Sequence, residues 1–515
     1  MSSFRRVLVA NRGEIAVRII RAIHDLGAEA VAVFSEADRD ALHVRLADYA
    51  YPIGPAPAAQ SYLNGEAVLE AARKSSAEAV HPGYGFLSEN ARFARACVEA
   101  GIVFVGPSPE AMALMGDKVS ARQLAANVGV PTVPGTAEPV RDAAAVEAAR
   151  VIGYPLLIKA AAGGGGKGMR AVQSEADLLA SLTQARSEAA SSFGDGSVYL
   201  EKLVERPRHI EVQLFGDGAG RVVHLGEREC SIQRRYQKVV EESPAPTLPD
   251  DVRERLCWAA VTAAAAAKYG GAGTIEFLYE PSTRNFYFLE MNARLQVEHP
   301  VTELVTGVDL VQAQLRLAAG ESLEEALGTE EEGQHSSFVL RPSSLHAIQV
   351  RVMAEDPFQQ WFPSTGTLDL LREPGGIGIR MDSACEPGMH VGVDYDPLLA
   401  KLIAWGRTRD EAVSRLRRAL DEYVLTGVRT SLPFHRWLVR DPAFLAGDFS
   451  TAFIAERWRP NSAVPESSWS GATHRQAAAL GAAEHTSVER RRQVAGSAAP
   501  KEHGWRRLAR LESLR

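Results

Sequence analysis

The chain has 515 residues, of which 46% are hydrophobic and 23% are charged, and its formal net charge is −7. A chain of this length has room for about three domains, each with its own core. The composition excludes wholesale disorder, and the negative charge excludes a general attraction for nucleic acid. Any anion site must therefore be a local cluster of basic residues in a globular, enzyme-sized protein.

The apolar stretches of the sequence lead us to expect neither a membrane span nor a secretion signal. The longest apolar stretch begins at Cys257 and is too short and too rich in alanine to span a bilayer. The apolar run after Arg6 ends too early for a signal peptide. We expect a cytoplasmic protein with no membrane partner, and we interpret its four scattered cysteines as reduced thiols.

The first 115 residues alternate between strand-like and helix-like patterns. The sequences "RRVLVA" and "AEAVAVFS" indicate buried strands on either side of an amphipathic helix that ends at Gly27. Two further strands end in the Gly/Pro turns of "AEAVHPGYG" and "GIVFVGPS". Residues 1–115 are therefore predicted to form an α/β domain with a doubly wound parallel sheet.

The rest of the chain has a different pattern. Strands joined by short turns, with occasional helices, predict a mixed α+β domain over 116–335. A strand-rich stretch over 345–455 predicts a third, β-rich domain. The tail, 456–515, is rich in Ala, Ser and Pro with arginine clusters, and its role cannot be read from the sequence.

Four consecutive glycines lie in "AAAGGGGKGMR", residues 160–170. The flanks are strand-like on both sides, so the stretch is neither a dinucleotide fingerprint nor a Walker loop. It predicts a glycine hairpin with Lys159 on the incoming strand and Lys167 at the tip, a geometry that can fold over phosphates. The residues alone leave open whether this is a nucleotide loop or a plain surface hairpin.

Two carboxylates are predicted to face each other in "GTIEFLYEPSTRNFYFLEMN". A turn centred on Thr283 places Glu276 opposite Glu290. At about 5 Å and an effective dielectric of about 20, their repulsion is roughly 3 kcal/mol, which a divalent cation between them would reverse. Oxygen ligands on a hairpin suit Mg²⁺ carried by nucleotide phosphates. Two exposed glutamates in another register are the alternative.

Polar residues repeat with a period of two in two segments, which predicts strands with one polar face, and a third segment supplies basic residues. Five follow the second carboxylate strand: Glu290, Asn292, Arg294, Gln296 and Glu298. Another three lie in "RHIEVQL": His209, Glu211 and Gln213. Basic residues are supplied by "CSIQRRYQKVVEE": Arg234, Arg235 and Lys238. A small anion site and a solvated basic face are both open interpretations.

With these motifs, residues 4–455 resemble the biotin carboxylase family of ATP-grasp enzymes. The matching stretches include "ANRGEIAVRII", "HPGYGFLSEN", "MGDK", "IKAAAGGGGKGMR", "ERECSIQRRYQKVVEESPAP" and "EMNARLQVEHPVTE". The resemblance implies a pre-ATP-grasp domain, an ATP-grasp domain with a mobile glycine-loop lid over about 133–203, and a β-rich C-terminal biotin carboxylase domain. It also implies that bicarbonate is phosphorylated by ATP with Mg²⁺ or Mn²⁺, and that the resulting carboxyphosphate carboxylates biotin on a carrier protein.

The resemblance assigns roles to individual residues. The implied ATP contacts are Lys118, Lys159, Gly165, Gly166, Glu201, Leu203, His209, Gln233 and Tyr236. The implied metal ligands are Glu276 and Glu290, with Asn292 close by. The implied bicarbonate pocket is Lys238, Arg294, Gln296 and the Val297 backbone, with Glu298 as general base and Arg351 stabilising the biotin enolate.

Two positions depart from the family pattern. Tyr236 stands where many members have His, and Gln349 stands where the family usually has Glu, two residues before Arg351. The first departure puts a phosphate contact in doubt, although an OH donor remains. The second removes a carboxylate that could steady Arg351, so we expect modestly altered activity.

The resemblance also implies partners. None of the eight methionines is followed by lysine, so the family's Met-Lys biotinylation target is missing. We therefore expect a homodimer that works with a separate biotin carboxyl carrier protein and a separate carboxyltransferase subunit, in an acetyl- or propionyl-CoA type carboxylase. The alternatives are an ATP-grasp ligase acting on another carboxylate and a silenced regulatory subunit.

Overall fold

The computed structural model describes residues 4–136, 138–160, 169–193, 195–328 and 345–462. Its strands are β1 (Arg6–Val9), β2 (Glu29–Ser35), β3 (Tyr49–Gly54), β4 (Ala79–His81), β5 (Val103–Phe104), β6 (Leu156–Ala160), β7 (Arg170–Val172), β8 (Val198–Lys202), β9 (Arg208–Asp217), β10 (Val222–Arg234), β11 (Gln237–Ser243), β12 (Gly270–Glu280), β13 (Asn285–Asn292), β14 (His346–Met353), β15 (Glu355–Asp356), β16 (Phe362–Pro363), β17 (Gly366–Thr367), β18 (Leu371–Arg372), β19 (Ile379–Ser383), β20 (His390–Val391), β21 (Leu398–Gly406) and β22 (Val424–Leu425).

The helices lie between and around these strands. They are α1 (Gly13–Asp25), α2 (Leu42–Leu46), α3 (Gly65–Ser75), α4 (Ala91–Glu99), α5 (Pro109–Gly116), α6 (Lys118–Asn127), α7 (Asp142–Ile152), α8 (Glu175–Phe193), α9 (Asp250–Ala266), α10 (His299–Thr306), α11 (Leu310–Ala318), α12 (Leu323–Leu327), α13 (Arg409–Glu422), α14 (Leu432–Leu438), α15 (Pro442–Ala446) and α16 (Phe453–Arg457). Within these ranges no helix is both long and apolar enough to cross a membrane.

The N-terminal part is built on a parallel sheet in the order β3-β2-β1-β4-β5. The central strand β1 pairs in parallel with β2 and β4, so that Val7 lies beside Ala30 on one side and Ala79 on the other. Central strands of parallel sheets are covered on both faces, which is why β1 consists almost entirely of buried aliphatic residues. The predicted doubly wound parallel sheet is confirmed.

An eight-stranded antiparallel sheet forms the largest layer, in the order β13-β12-β9-β10-β11-β14-β21-β19. The strands β11 and β14 pair so that Glu241 lies beside Gln349. Because of this pairing, the sheet is continuous from the part that holds the predicted carboxylate hairpin into the C-terminal part. The site described below lies on this sheet.

A small three-stranded sheet, β7-β6-β8, has its own apolar core with α7 and α8. The strands β6 and β7 pair antiparallel, Ile158 with Arg170, as the predicted glycine hairpin requires. Gly165 and Gly166 lie outside the described residues. Together with the two larger sheets, this arrangement confirms the predicted mixture of α/β and α+β architecture.

Candidate active site

Three neighbouring strands carry the charged side chains of the site. In β9, Glu211 pairs with Glu276 of β12 on one side and with Arg228 of β10 on the other. All three residues are buried. The polar face predicted for β9 is therefore present, but it faces the interior of the protein, where like charges need close partners of opposite sign.

Lys238 supplies the central positive charge. Its Nζ donates to Glu276 Oε1 at 2.7 Å and to Glu298 Oε1 at 2.7 Å, and it also donates to Glu211. Burial alone would lower the pKa of Lys238, but the three carboxylates outweigh it and raise the pKa well above its ordinary value. The ammonium therefore stays charged and holds three carboxylates from three segments at one point.

Arg228 also contacts this carboxylate cluster, through Glu211, and is fully buried. Its Nε donates to Glu211 at 2.6 Å, and one terminal nitrogen donates to Gln213 at 2.6 Å. The hydroxyls of Thr302 and Thr274 accept from the two terminal nitrogens at 3.0 Å each. Because a buried guanidinium is tolerated only with such partners, Arg228 fixes the orientation of Glu211.

Glu298 is completely buried and is held at both oxygens. Oε1 accepts from Lys238, and Oε2 accepts from Arg351 Nη2 at 3.0 Å. Burial would raise the pKa of Glu298, but the charges of Lys238 and Arg351 hold it below its ordinary value. Glu298 is thus an ionised carboxylate at neutral pH, able to accept a proton.

Arg351 connects the general-base candidate to the C-terminal part of the sheet. Its Nε donates to Glu241 Oε1 at 2.6 Å, while Gln349 Nε2 donates to Glu241 Oε2 at 3.0 Å. The carboxylate that steadies Arg351 is therefore Glu241, on the neighbouring strand. The amide at position 349 completes the bonding of that carboxylate.

The two predicted metal ligands lie opposite each other, since Glu276 pairs with Glu290 in the β12–β13 register. Glu276 Oε1 accepts from Asn292 Nδ2 at 2.9 Å, and Glu290 lies 3.4 Å from Lys118 Nζ. Glu290 is about one-third exposed, whereas Glu276 is buried. Facing carboxylates, one buried and one accessible, form an oxygen donor set that fits Mg²⁺ or Mn²⁺.

The prediction that this strand continues to Glu298 is wrong beyond Asn292. The strand β13 ends at Asn292, and a turn leads into α10, with Glu298 as its N-cap residue and Pro300 in its first turn. His299 Nδ1 pairs with the Gln296 carbonyl at 2.7 Å and closes this turn. A proline in the first turn, whose fixed φ suits a helix start, thus overrides the period-two pattern.

This turn brings the remaining anion-pocket candidates together. Arg294 Nη2 donates to Asn292 Oδ1 at 3.0 Å, and Nη1 donates to Gln296 Oε1 at 3.1 Å. The backbone carbonyl of Val297 accepts from Lys401 Nζ at 3.3 Å. Arg294, Gln296 and Val297 therefore lie next to Glu298 through turn geometry.

The candidates for nucleotide contacts are spread along the edge of the site. Lys159 and Arg122 both form ion pairs with Glu201, and the Leu203 N–H donates to the Pro155 carbonyl at 3.1 Å. The Glu201 carboxylate thus joins the small three-stranded sheet to α6.

His209 lies deeper, with Nε2 3.3 Å from Glu276 and 3.6 Å from Glu211. Burial would lower its pKa, but the nearby carboxylates, Glu276 first and then Glu211, outweigh it and raise the pKa to about 9. Gln233 donates to the Cys230 carbonyl at 2.8 Å. His209 is therefore a cation inside the carboxylate cluster.

The basic segment around Lys238 is not brought together as one anion site. Tyr236 is 61% exposed at the tip of the β10–β11 turn. Arg234 points to the C-terminal part, where it donates to the Gln360 carbonyl at 2.7 Å. Both Arg235 and Tyr236 have positive φ, 48° and 66°, since a two-residue hairpin turn requires that conformation. Of this segment, Lys238 alone contacts the described carboxylate cluster.

Comparison with known proteins identifies the family. The profiles described as "Biotin carboxylase, N-terminal domain" and "Biotin carboxylase C-terminal domain" match residues 3–112 and 349–456. Residues 117–326 match the profile "Carbamoyl-phosphate synthase L chain, ATP binding domain". Biotin carboxylase 1 of Bacillus subtilis is 48% identical over 87% of this chain and 98% of its own length. The biotin carboxylase of a Nostoc species is 49% identical over 88% and 99%.

The chain belongs to the biotin carboxylase family.

Solved structures agree with this assignment. A biotin carboxylase from Campylobacter jejuni, solved as a β-γ-ATP complex, has a TM-score of 0.81 and 43% identity over 88% of this chain and 99% of its own. The biotin carboxylase domain of Hydrogenobacter thermophilus 2-oxoglutarate carboxylase, solved as a dimer with MgADP, ADP and bicarbonate, has a TM-score of 0.80 and 45% identity over 88% and 98%. The prediction of an ATP-dependent ligase of the biotin carboxylase type is confirmed.

Sequence reasoning missed two residues of this biotin carboxylase site. The sequence assigns no role to Arg228 or to Glu241. In the structure Arg228 contacts Glu211, and Glu241 contacts Arg351. A signal for Arg228 was available in "HLGEREC", because a charged residue within an otherwise buried strand needs a partner of opposite charge on a neighbouring strand. Glu241 had no such signal, because its contact with Arg351 depends on which strand pairs with β11.

Proposed function

We propose that this chain is the biotin carboxylase component of an acyl-CoA carboxylase, and that it carboxylates biotin on a separate carrier protein using MgATP and bicarbonate. The observation that carries the proposal is the position of Glu298. Its two oxygens are held by Lys238 and Arg351, whose side chains are 11% and 15% exposed, so that a buried base lies beside two accessible cations. An anionic substrate that binds these two cations lies within reach of the Glu298 carboxylate, which can take its proton.

In the proposed reaction, Glu298 takes the proton of bicarbonate, and a bicarbonate oxygen forms a bond to the γ-phosphorus of ATP as ADP leaves. Carboxyphosphate then breaks its C–O bond to give CO₂ and phosphate, and the phosphate takes the proton from N1′ of biotin. N1′ attacks CO₂. Lys238 and Arg294 would bind the bicarbonate anion, with Gln296 and the Val297 backbone completing the pocket.

Arg351 serves the second half of the reaction in this proposal. Deprotonation of N1′ places negative charge on the ureido oxygen of biotin, and a fixed guanidinium next to that oxygen stabilises the charge as it forms. Glu241, on the neighbouring strand, holds Arg351 in place, and Gln349 in turn donates to Glu241. The departure at Gln349 therefore preserves the support of Arg351, with an amide in place of a carboxylate.

The nucleotide would lie along the edge strand β13 and the small sheet. Glu276 and Glu290, with Asn292, would hold Mg²⁺ or Mn²⁺, which when bound neutralises charge on the phosphates. Lys118 and Lys159 would then exchange their present carboxylate partners for phosphate oxygens. Glu201 and Leu203 would contact the adenine edge, and His209, Gln233 and Tyr236 would complete the ATP contacts, with Gly165 and Gly166 closing over the phosphates.

The proposed partners are a biotin carboxyl carrier protein, a separate carboxyltransferase and a second copy of this chain. The solved relatives include a dimer and the biotin carboxylase subunit of pyruvate carboxylase, which supports an assembly of this kind. Acetyl- or propionyl-CoA is the acceptor in our proposal. The carboxyltransferase would select it, because no acyl-CoA group takes part in the chemistry assigned to this chain.

The test is ADP release from MgATP, measured with and without bicarbonate and with and without free biotin. We expect bicarbonate dependence and stimulation by biotin in the wild type. Arg351→Ala is expected to retain bicarbonate-dependent ATP cleavage and to lose the biotin stimulation. A wild type that cleaves ATP with bicarbonate but never responds to biotin or to a biotinylated carrier would overturn the proposed acceptor.

A further inference from the structure

One stretch of the N-terminal part reaches the site and has no role in the function proposed above. It is "HPGYGFLSEN", which follows β4, and its Glu89 lies against the turn after β13. Glu89 Oε2 accepts from Arg294 Nε at 2.9 Å, and Oε1 accepts from the Ala293 N–H at 2.9 Å. A single carboxylate from another part of the chain thus binds both the backbone and the side chain of the turn.

The ion pair between Glu89 and Arg294 is too exposed to add much to the stability of the fold. The side chain of Glu89 is 39% exposed and that of Arg294 is 19% exposed. Ion pairs with this exposure contribute little to folding. A carboxylate beside Arg294 also weakens the attraction of that guanidinium for an anion, so its presence there is best explained by a geometric effect.

The geometry shows what the contact fixes. Nε is the donor nearest the aliphatic stem, and binding it to Glu89 sets the rotation of the guanidinium plane. Asn292 and Gln296 then bind the terminal nitrogens at 3.0 and 3.1 Å. The Leu295 carbonyl also accepts from Nη1 at 3.2 Å, and these acceptors in different directions hold the fork in one orientation.

We propose that Glu89 is a positioning residue for bicarbonate, acting through Arg294. It holds the guanidinium in the orientation that binds the anion, so that the N-terminal part of the chain completes a pocket otherwise built by the ATP-grasp part. This inference rests on the role of Arg294 in the proposed function. Removal of Glu89 leaves Nε without its partner, so the guanidinium plane is held only at its terminal nitrogens and tilts away from the anion, and MgATP binding stays as it is.

The experiment compares Glu89→Ala and Glu89→Gln with the wild type, using bicarbonate-dependent ADP release with free biotin. We expect Glu89→Ala to raise KM for bicarbonate about tenfold, with KM for MgATP unchanged within about twofold. Glu89→Gln retains one acceptor oxygen, so its KM for bicarbonate is expected to lie between those of the wild type and Glu89→Ala. Glu110→Gln is the matched control, because Glu110 forms an exposed ion pair with Arg95 in the same domain.

Two results would overturn the positioning role. One is an unchanged KM for bicarbonate in Glu89→Ala. The other is a parallel change in both KM values together with a lower melting temperature, which would indicate a structural role. If the wild type shows no bicarbonate-dependent turnover, the proposed function fails separately, and crystal structures decide about Glu89. An Arg294 guanidinium displaced in Glu89→Ala supports the role, and an unmoved one refutes it.

Discussion

Two networks of charged residues differ in whether the lysine at the centre can be reached from solvent. The site network consists of Glu211, Arg228, Lys238, Glu276, Glu298 and Arg351. The junction network consists of Glu14, Arg18, Glu303, Arg380, Asp382 and Lys401. Both have a lysine at their centre. Lys401 is fully buried, whereas Lys238 is 11% exposed.

The junction network joins distant segments of the chain. Lys401 Nζ lies 3.1 Å from Glu14 Oε2 in α1 and 3.4 Å from Asp382 in β19. Glu303 of α10 is bound by both Arg18 and Arg380, at 2.9 and 2.7 Å. Because Lys401 is fully buried, a substrate cannot reach the centre of this network, and its ion pairs serve to hold the segments together.

The burial of the central lysine decides what each network can do. Removing one partner from a closed buried network leaves a charge unpaired, so stability should suffer. In the site network Lys238 and Arg351 are partly exposed, so they can bind an anion in addition to their carboxylate partners. Substitutions there should change catalysis more than folding. The following predictions test this contrast.

The largest effect is expected for Glu298→Gln in the site network. An amide keeps the size of the side chain but cannot take the proton of bicarbonate, so kcat for bicarbonate-dependent ADP release should fall about a thousandfold. MgATP binding, measured by calorimetry, should stay within about threefold of the wild type. If the variant keeps a tenth or more of the wild-type kcat, Glu298 is not the general base.

A stability effect is expected for Glu303→Gln in the junction network. Burial would raise the pKa of Glu303, but Arg18 and Arg380 outweigh it and lower the pKa to about 2. A lowered pKa stabilises the fold above the ordinary value near 4.5, and that contribution is lost as the pH falls through about 2. The variant should lose about 3 kcal/mol of unfolding free energy at pH 7.

Urea unfolding of both proteins between pH 7 and pH 3 checks this prediction. The difference between wild type and Glu303→Gln should shrink as the pH falls below about 4.5. The exposed control Glu110→Gln should behave as the wild type at every pH. A loss of stability that stays constant down to pH 3 would show that the charge of Glu303 is not its cause.

The smallest effect is expected for Gln349→Glu, next to the site network. The new carboxylate would face Glu241, whose pKa burial already raises, so the two acids would compete for Arg351. We expect kcat to change by about threefold, with KM for MgATP unaffected. Unchanged kinetics from pH 6 to pH 9 would show that the residue at this position is irrelevant to catalysis.

Local patterns were sufficient where neighbours in the sequence decide the structure. Alternating apolar strands and helices predicted the parallel sheet, and a turn near Thr283 predicted that Glu276 faces Glu290. The same approach failed after Asn292, because a turn and a helix N-cap replaced the strand that the alternation indicated. The functional residues of that stretch still cluster, although the expected backbone geometry was wrong.

The sequence by itself determined the family, the strand patterns and the chemical groups of the site, since these depend on residue types at short spacing. Only the tertiary structure decided which charges meet. The bonds of Glu241 to Arg351 and of Glu89 to Arg294 join residues 110 and 205 positions apart. Such contacts follow from the order of strands in a sheet and the packing of one domain on another, which no local pattern encodes.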